Sequence, residues 1–443
     1  MKKIILLMLT LSFLTCNHDS YVVMDYSKTD VKTPPVSIDL DRYKTVQKRN
    51  NQNNNIAFAV TISGGGYRAA NFGLGCLKGL ESITPAKKSA SVNGLMEIDY
   101  LSTVSGGGFA AAAYLSTLKL HSGKEKSIYS LSKYSDNMMK ALRTNLELSL
   151  LVFEPECWSS PLDRGDVLEK RIDNKLFRFL NEKELILGDV FIARNSTENP
   201  VLPMWVANGT LEKNCSLVPL TPDIFEYYNV VGYTHRKHKV PVEDFSDELS
   251  FNEIKQKAEF KDFYNNIPYA LMLKTSASFP GLIAETTFRC ARYNRDINYN
   301  KYRYIHILDG GVCDNLGYRT ALELLNKDRS PQKVLIIIDV FNDNIQPYDR
   351  KEGPPITVAA ERYLQSTVIS KHLFSIEDIK YRCSKSGIKY IFINLRDDSD
   401  LSDDMRQFGT RLKINEKEQK ALYMSGERMI KKNEVQIKSA LGW

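Results

Sequence analysis

Residues 56–79 read IAFAVTISGGGYRAANFGLGCLKG, and this segment decides the fold class. Its first seven residues, Ile56 to Ile62, are almost all apolar, as is typical of a strand covered on both faces in a parallel sheet. Three consecutive glycines then interrupt the strand. Ala70, Leu74 and Leu77 follow at helical spacing and mark one face of a helix. The segment therefore predicts a strand, a glycine turn and a helix in succession.

The same succession occurs twice more along the chain. A strand at Ile98 to Val104 leads through the turn SGGG into a helix at Phe109 to Leu118. A strand at Tyr304 to Leu308 leads through the turn DGG into a helix at Tyr318 to Leu325. Two further apolar runs predict strands at Val334–Val340 and Tyr390–Leu395. This alternation predicts an α/β fold with a mainly parallel central sheet flanked by helices. Reacting groups of such sheets gather at the carboxyl ends of the strands, where all three glycine turns fall.

A long segment of mixed character, roughly residues 120–300, separates the second unit from the third. Leu168, Ile172 and Leu176 predict a helix within it, and Val201 to Val206 predicts a strand. We expect this insertion to build a cap or a substrate wall beside the core. The last thirty residues of the chain have a helical pattern.

The amino terminus has the pattern of an export signal. Lys2 and Lys3 precede an apolar run from Ile4 to Leu14, which is shorter than the roughly 20 residues that a membrane-spanning helix needs. The run ends at Cys16, in a context that resembles a relaxed bacterial lipoprotein processing box. The sequence therefore predicts a signal peptide at residues 1–16, with lipidation at Cys16, a flexible polar tether at 17–55 and a folded domain at 56–443. The alternative is a plain secretory signal with an incidental cysteine.

Composition excludes some classes of function. The formal net charge of +7 is spread along the chain without a dense Lys/Arg stripe, so no nucleic-acid partner is predicted. A mild positive excess favours approach to an anionic lipid surface. The seven cysteines form no CxxC pair and no HExxH occurs, so no metal site is predicted. If Cys16 is lipidated, six cysteines remain, which is compatible with disulfides, although buried free thiols are the default expectation.

Ser105 and Asp309 are the candidate catalytic pair. Ser105 stands between a strand and an alanine-rich helix, where a sharp turn would expose its hydroxyl. Gly107 matches the last glycine of the G-x-S-x-G elbow, but Thr103 replaces the first. Asp309 follows the third strand, where a carboxylate could take the serine proton directly. No histidine lies in a predicted turn at the sheet end, which favours a dyad over a triad. Taken singly, each of these turns could equally be an ordinary tight loop.

Gly64, Gly65 and Gly66 are the candidate oxyanion hole. A run of glycines allows several backbone amides to point towards one place, as the tetrahedral intermediate of acyl transfer requires. The alternative is a phosphate-binding loop, but the pattern GxxxxGK[ST] is absent.

Four motifs in this order resemble the patatin-like phospholipases, a family that includes the catalytic core of the cytosolic phospholipase A2 group. They are SGGGYRA (63–69), STVSGGG (102–108), ASFPG (277–281) and DGGVCDNLG (309–317). The resemblance covers roughly residues 56–345 and implies a patatin-like three-layer fold with a cap-like insertion. It implies that Ser105 is the nucleophile and Asp309 its base. The glycine run then forms the oxyanion hole, and Arg68 either seats a lipid phosphate or braces the glycine loop.

The function implied by this resemblance is a serine lipid acyl hydrolase of phospholipase A type, acting through an acyl-enzyme without metal or organic cofactor. Its substrate would be a membrane phospholipid or another lipid ester. Two alternatives remain open from the residues themselves. One is an exported serine esterase or peptidase with a different substrate class, and the other is a non-catalytic surface lipoprotein on a hydrolase scaffold, since fold alone does not decide function.

Overall fold

The computed structural model describes residues 38–40, 42–43, 55–85, 92–121, 131–146, 164–191, 202–233, 262–280, 283–290, 304–341, 356–406 and 408–443. These residues form a nine-stranded sheet flanked by helices. The strands are β1 (Ile56–Ile62), β2 (Tyr100–Val104), β3 (Met204–Leu211), β4 (Ser216–Pro219), β5 (Val230–Tyr233), β6 (Thr286–Cys290), β7 (Tyr304–Asp309), β8 (Gln332–Asp339) and β9 (Lys389–Asn394).

Fourteen α-helices lie in the described ranges. They are α1 (Gly66–Ser82), α2 (Gly106–His121), α3 (Ser135–Ala141), α4 (Arg164–Ile172), α5 (Arg178–Asn181), α6 (Leu187–Phe191), α7 (Pro222–Tyr227), α8 (Tyr269–Ser276), α9 (Gly311–Asp314), α10 (Tyr318–Lys327), α11 (Ile356–Ser386), α12 (Asp403–Arg406), α13 (Glu416–Lys432) and α14 (Glu434–Ala440). A π-helical turn at Asp173–Phe177 connects α4 to α5. Short 3-10 turns occur at Leu131–Lys133 and Leu395–Asp397.

One half of the sheet is parallel, as the apolar strand patterns predict. β9, β8, β1, β2 and β3 are consecutive neighbours and pair parallel throughout. All seven residues of β1 are buried, because this strand lies inside the sheet with both faces covered. The α/β fold class predicted from the sequence is confirmed.

The other half of the sheet is antiparallel and comes largely from the predicted insertion. β4 and β7 both pair antiparallel with β3, β6 pairs antiparallel with β7, and β5 with β6. The segment 120–300 therefore contributes four strands, β3 to β6, to the central sheet besides its helices. All eight residues of β3 are buried, so this strand is part of the core and not of a cap outside it.

The carboxyl-terminal helix α13 packs against α1, the helix that follows the glycine loop. A side chain at Gly75 would clash with the carbonyl of Tyr423, and one at Gly426 would clash with the carbonyl of Phe72. Glycine at these positions lets the two backbones approach closely. A capping box between Asn415 and Glu418 fixes the start of α13. Helix α1, the first of the core, is therefore covered by α13, which comes more than 300 residues later in the chain.

The predicted flexible tether at 17–55 needs a correction. Ile38 is fully buried, and its amide donates to Glu323 Oε1 of α10 at 2.8 Å. Arg42 forms an ion pair with Asp223 of α7 at 2.9 Å. Residues 38–40 and 42–43 therefore pack on the folded body, because Ile38 is buried there and Arg42 pairs with Asp223. The signal peptide, Cys16 and the tether residues 17–37, 41 and 44–54 lie outside the described residues.

Across the described ranges, no helix is both long and apolar enough to cross a bilayer. The cysteines within those ranges are free thiols, namely Cys76, Cys215, Cys290, Cys313 and Cys383. All but Cys215 are buried, which matches the default expectation for these residues.

Candidate active site

The ends of two opposed strands bring Ser105 and Asp309 together. β2 ends at Val104, which is level with Asn208 of β3. β7 runs in the opposite direction and ends at Asp309, level with Gly209 of the same strand. The two strand ends thus meet at one level of β3. The sequence predicted that the two residues meet because both follow parallel strands. In the structure, Asp309 instead ends a strand that runs antiparallel to β3 and pairs with the part of β3 that extends beyond β2.

Ser105 forms a strained strand-to-helix turn. Its φ is +48°, in the left-handed region that a residue with a side chain seldom adopts. Its amide donates to Ser276 Oγ at 2.9 Å. A side chain at Gly106 would clash with the backbone of Gly66, and one at Gly107 with the carbonyl of Ile62. The glycines after Ser105 are therefore required by the close approach of the glycine loop to the turn.

Thr103, the departure from the elbow pattern, has a local explanation. Its side chain is fully buried, and its hydroxyl accepts a hydrogen bond from Trp205 Nε1 at 2.8 Å. The hydrogen bond to Trp205 therefore gives threonine a structural role at the position where the pattern has glycine.

Asp309 has the properties of a buried general base. It is 4% exposed, and its Oδ1 accepts a hydrogen bond from the Gly311 amide at 2.7 Å. Burial raises the pKa of its carboxyl to about 6, while hydrogen bonds from the Gly311 amide and the Ser105 side chain act in the opposite direction. A carboxylate with this pKa is ionised at neutral pH yet is a stronger base than an ordinary aspartate.

The glycine loop offers backbone amides beside this pair, although not from all three predicted glycines. The Gly64 amide donates to the carbonyl of Asn315 at 3.1 Å. Gly65 and Gly66 have positive φ values of 146° and 57°, and they stand at the start of α1, where amides have no acceptor within the helix. Gly64 is therefore removed from the candidate oxyanion donors, because its amide already has an acceptor. Gly65 and Gly66 remain candidates. Gly106, at the start of α2 and packed against Gly66, is a further candidate that the sequence analysis missed.

Arg68 makes the contacts of a brace. It is 5% exposed, and its guanidinium donates to the carbonyl of Phe408. Burial lowers the pKa of the guanidinium to about 10, and the nearby Asp339 carboxylate opposes this effect. The neighbouring amide of Tyr67 donates to the carbonyl of Arg411 at 2.9 Å. Of the two roles left open for Arg68, these contacts favour bracing the loop over seating a phosphate.

The described histidines with resolved contacts have other partners. His306 lies 3.0 Å from the Thr287 hydroxyl, and His372 lies 3.1 Å from the Asp339 carboxylate. Neither is among the groups that hydrogen-bond Asp309. In the described part of the chain, His, Cys, Asp and Glu side chains form no group of three or more that could hold a metal ion.

The sequence analysis missed two buried polar residues that connect the site. Ser276 is fully buried at the end of α8, and its hydroxyl bridges the Ser105 amide and the Asn208 carbonyl. Asn208 in turn donates to Ser102 Oγ at 2.9 Å and to the Thr103 carbonyl at 3.0 Å. Partners 68 to 171 residues apart leave no local pattern, and the only signal nearby was the motif ASFPG at 277–281.

A model of the family described as patatin-like phospholipase matches residues 60–322 of this chain. This range is more than half of the chain and includes the glycine loop, Ser105 and Asp309. No curated protein matches the chain by sequence.

Two solved structures illustrate how distant the structural similarity is. The chain is 11% identical to human GIVD cytosolic phospholipase A2, with a TM-score of 0.45, covering 88% of this chain and 62% of that one. It is 13% identical to VipD from Legionella pneumophila, with a TM-score of 0.28, covering 86% of this chain and 67% of that one. The chain thus spans about three-fifths of the length of the human protein.

Proposed function

This chain belongs to the patatin-like phospholipase family, and from that premise we propose that it hydrolyses lipid acyl esters with Ser105 as nucleophile and Asp309 as general base. Family membership supports a lipid acyl hydrolase in general. The proposal for the individual residues is supported by the geometry of the turn, the buried carboxylate and the glycine loop.

The observation that carries the proposal is the pairing of a strained serine with a buried carboxylate. Ser105 has a left-handed φ, and its side chain acts to lower the pKa of Asp309, which burial raises to about 6. Strained backbone conformations persist where surrounding contacts hold them, and they concentrate at functional sites. Perturbed carboxyl groups next to a nucleophile have the same association. A turn with a purely structural role would not need a buried carboxylate beside its strained residue.

In the proposed first step, Asp309 accepts the hydroxyl proton of Ser105 while Oγ attacks the ester carbonyl. The carbonyl oxygen becomes an oxyanion, and the proposed donors that stabilise it are the amides of Gly65, Gly66 and Gly106. Protonated Asp309 then gives its proton to the leaving alcohol or lysophospholipid, and the acyl group remains on Ser105. In the second step, Asp309 takes a proton from the water molecule that attacks the acyl-enzyme. The fatty acid is released as Asp309 returns this proton to Ser105 Oγ. No step requires a metal or an organic cofactor.

The proposed substrate is a phospholipid or another lipid ester in a membrane. The protein carries a net charge of +7, which favours approach to an anionic bilayer. We further propose that the protein is exported and anchored through lipid on Cys16. Incorporation of radiolabelled palmitate into the wild type, lost in Cys16→Ala, tests this anchor. A mature amino terminus downstream of Cys16 would rule it out.

The proposed activity is tested with a fluorophosphonate probe and a panel of phospholipids, triglycerides and casein. We expect probe labelling and fatty-acid release from the wild type and neither from Ser105→Ala. Ser82→Ala is a matched control, because the Ser82 hydroxyl only donates to the carbonyl of Gly79 within α1. Equal labelling of wild type and Ser105→Ala would contradict the nucleophile. Cleavage of casein without fatty-acid release would favour the peptidase alternative.

A further inference from the structure

The end of α8 lies between the two halves of the proposed dyad. Ser276 is its last residue and is fully buried. The carbonyl of Ser276 accepts a hydrogen bond from the Gly310 amide at 3.3 Å, and the carbonyl of Ser278 accepts one from the Asp309 amide at 2.9 Å. The Ser276 hydroxyl accepts one from the Ser105 amide at 2.9 Å. One short segment therefore contacts the backbone of both the nucleophile and the base.

The hydroxyl of Ser276 is used in both directions. While it accepts from the Ser105 amide, it donates to the carbonyl of Asn208 at 2.6 Å. A hydroxyl can be donor and acceptor at once, which alanine cannot reproduce. The bridge therefore joins the turn at Ser105 to β3, the strand whose end receives both β2 and β7.

The Asn208 side chain is held by three hydrogen bonds, so the bridge from Ser276 ends on a well-anchored residue. Its side-chain nitrogen donates to Ser102 Oγ and to the Thr103 carbonyl, at 2.9 and 3.0 Å. Its side-chain oxygen accepts from the Thr320 hydroxyl at 2.6 Å. Asn208 is fully buried, and a buried polar network with all its partners satisfied is rigid.

We propose that Ser276 is a positioning residue, which holds the Ser105 turn in its left-handed conformation and so places the nucleophile against Asp309. This inference rests on the proposed function, since it assumes that Ser105 and Asp309 react together. Ser276 acts through the Ser105 amide and has no contact with the substrate. The contacts at Gly310 and Asp309 come from backbone carbonyls, so a side-chain change at Ser276 acts on the nucleophile side.

The expected effect of losing the hydroxyl follows from the strain at Ser105. In Ser276→Ala the part-buried Ser105 amide loses its acceptor, and the turn can relax away from a φ of +48°. Oγ then moves from its place beside Asp309. Among the described residues, burial raises the pKa of this carboxyl, and the Gly311 amide and the Ser105 hydroxyl lower it. Loss of the Ser105 contact should raise the pKa of Asp309 further.

The experiment compares Ser276→Ala and Ser276→Cys with Thr275→Val. Cysteine fills the volume of serine but is a weak acceptor, so it separates loss of the bridge from an empty space. Thr275 is equally buried and adjacent, and its hydroxyl pairs with the Leu271 carbonyl and the Thr286 hydroxyl. The measurements are the rate of fluorophosphonate labelling, kcat and KM on a soluble p-nitrophenyl ester, and the pH profile of kcat/KM.

We expect both Ser276 variants to lose at least about tenfold in labelling rate and kcat, the factor that corresponds to about 1.4 kcal/mol, with KM within about twofold. The acid limb of the pH profile should move to higher pH. Thr275→Val should keep the wild-type rates within about twofold. Wild-type kinetics in a folded Ser276→Ala or Ser276→Cys, or an equal loss in Thr275→Val, would overturn the inference alone. A wild type that neither labels nor hydrolyses esters would overturn the proposed function, and the inference with it.

Discussion

Replacing Asp309 with asparagine should make the protein inactive and, at neutral pH, more stable. The folded carboxyl keeps its proton up to about pH 6, whereas the unfolded one loses it near the ordinary value of 3.8. The folded state therefore binds the proton more tightly, and stability falls as the pH rises from about 4 to above 6. The difference corresponds to about 3 kcal/mol, because one pKa unit is worth about 1.4 kcal/mol. Asparagine avoids this penalty because it carries no charge.

The assay is urea unfolding of wild type and Asp309→Asn at pH 4.0 and 7.5, followed by the fluorescence of tryptophan, one of which, Trp205, is fully buried. Most of the difference, about 2.5 kcal/mol, should appear as a gain of the variant over the wild type between these two pH values. The comparison at each pH cancels the other titrating groups. Ser82→Ala is the matched control, since it keeps both Asp309 and its contact with Ser105 and should follow the wild type in its pH dependence.

Activity provides the second half of this prediction. The kcat/KM of the wild type should fall about tenfold per pH unit below about 6, because protonated Asp309 cannot accept the serine proton. Asp309→Asn should lose turnover by orders of magnitude at every pH. A stability gain that is the same at pH 4.0 and 7.5 would show that Asp309 does not titrate near 6, and the reasoning would fail.

Two further predictions concern the same loops. Ser105→Gly should be more stable than Ser105→Ala in urea unfolding by up to about 1 kcal/mol, because only glycine adopts the left-handed φ without strain; a less stable glycine variant would contradict the strained turn. Arg68→Ala should lower kcat/KM equally on phosphatidylcholine and on a p-nitrophenyl ester of the same chain length, and should lower the free energy of unfolding by about 1.5 to 3 kcal/mol, because its contact is the Phe408 carbonyl. A selective loss on the phospholipid would instead support phosphate recognition.

The parts of the fold that sequence could predict are those with local causes. β1 could be predicted from a run of almost entirely apolar residues, all seven of which are buried in the structure. The turn at Ser105 could be predicted from a strand, a serine and three glycines in series. Ser105 and Asp309 could be named because each lies in a motif of adjacent residues. The sequence predicted that they meet, but on the assumption that β7 is parallel to its neighbours. β7 is antiparallel to β3, and its direction depends on pairing with the part of β3 that extends beyond β2.

The remaining features depend on contacts between distant segments. Ser276 is 171 residues from Ser105, and nothing near it in the sequence marks its hydroxyl as a bridge. The docking of Ile38 depends on Glu323, which lies 285 residues away. The loss of Gly64 as a donor depends on the carbonyl of Asn315. Pattern and composition do not encode such pairings until the sheet order is known.

The bracing of the glycine loop by the carboxyl-terminal segment has a consequence for biosynthesis. The carbonyls of Phe408 and Arg411 hold Arg68 and Tyr67, and the Phe408 contact joins residues 340 apart in the chain. Contacts of such high sequence separation form late in folding, and a chain is synthesised from its amino terminus. A nascent chain that already contains Ser105 and Asp309 but ends before Phe408 lacks these acceptors, so we expect it to be inert towards esters. Maturation of the proposed lipid hydrolase would then wait for the segment that contains Phe408 and Arg411, and the producing cell's membranes would meet no active fragment before this segment is made.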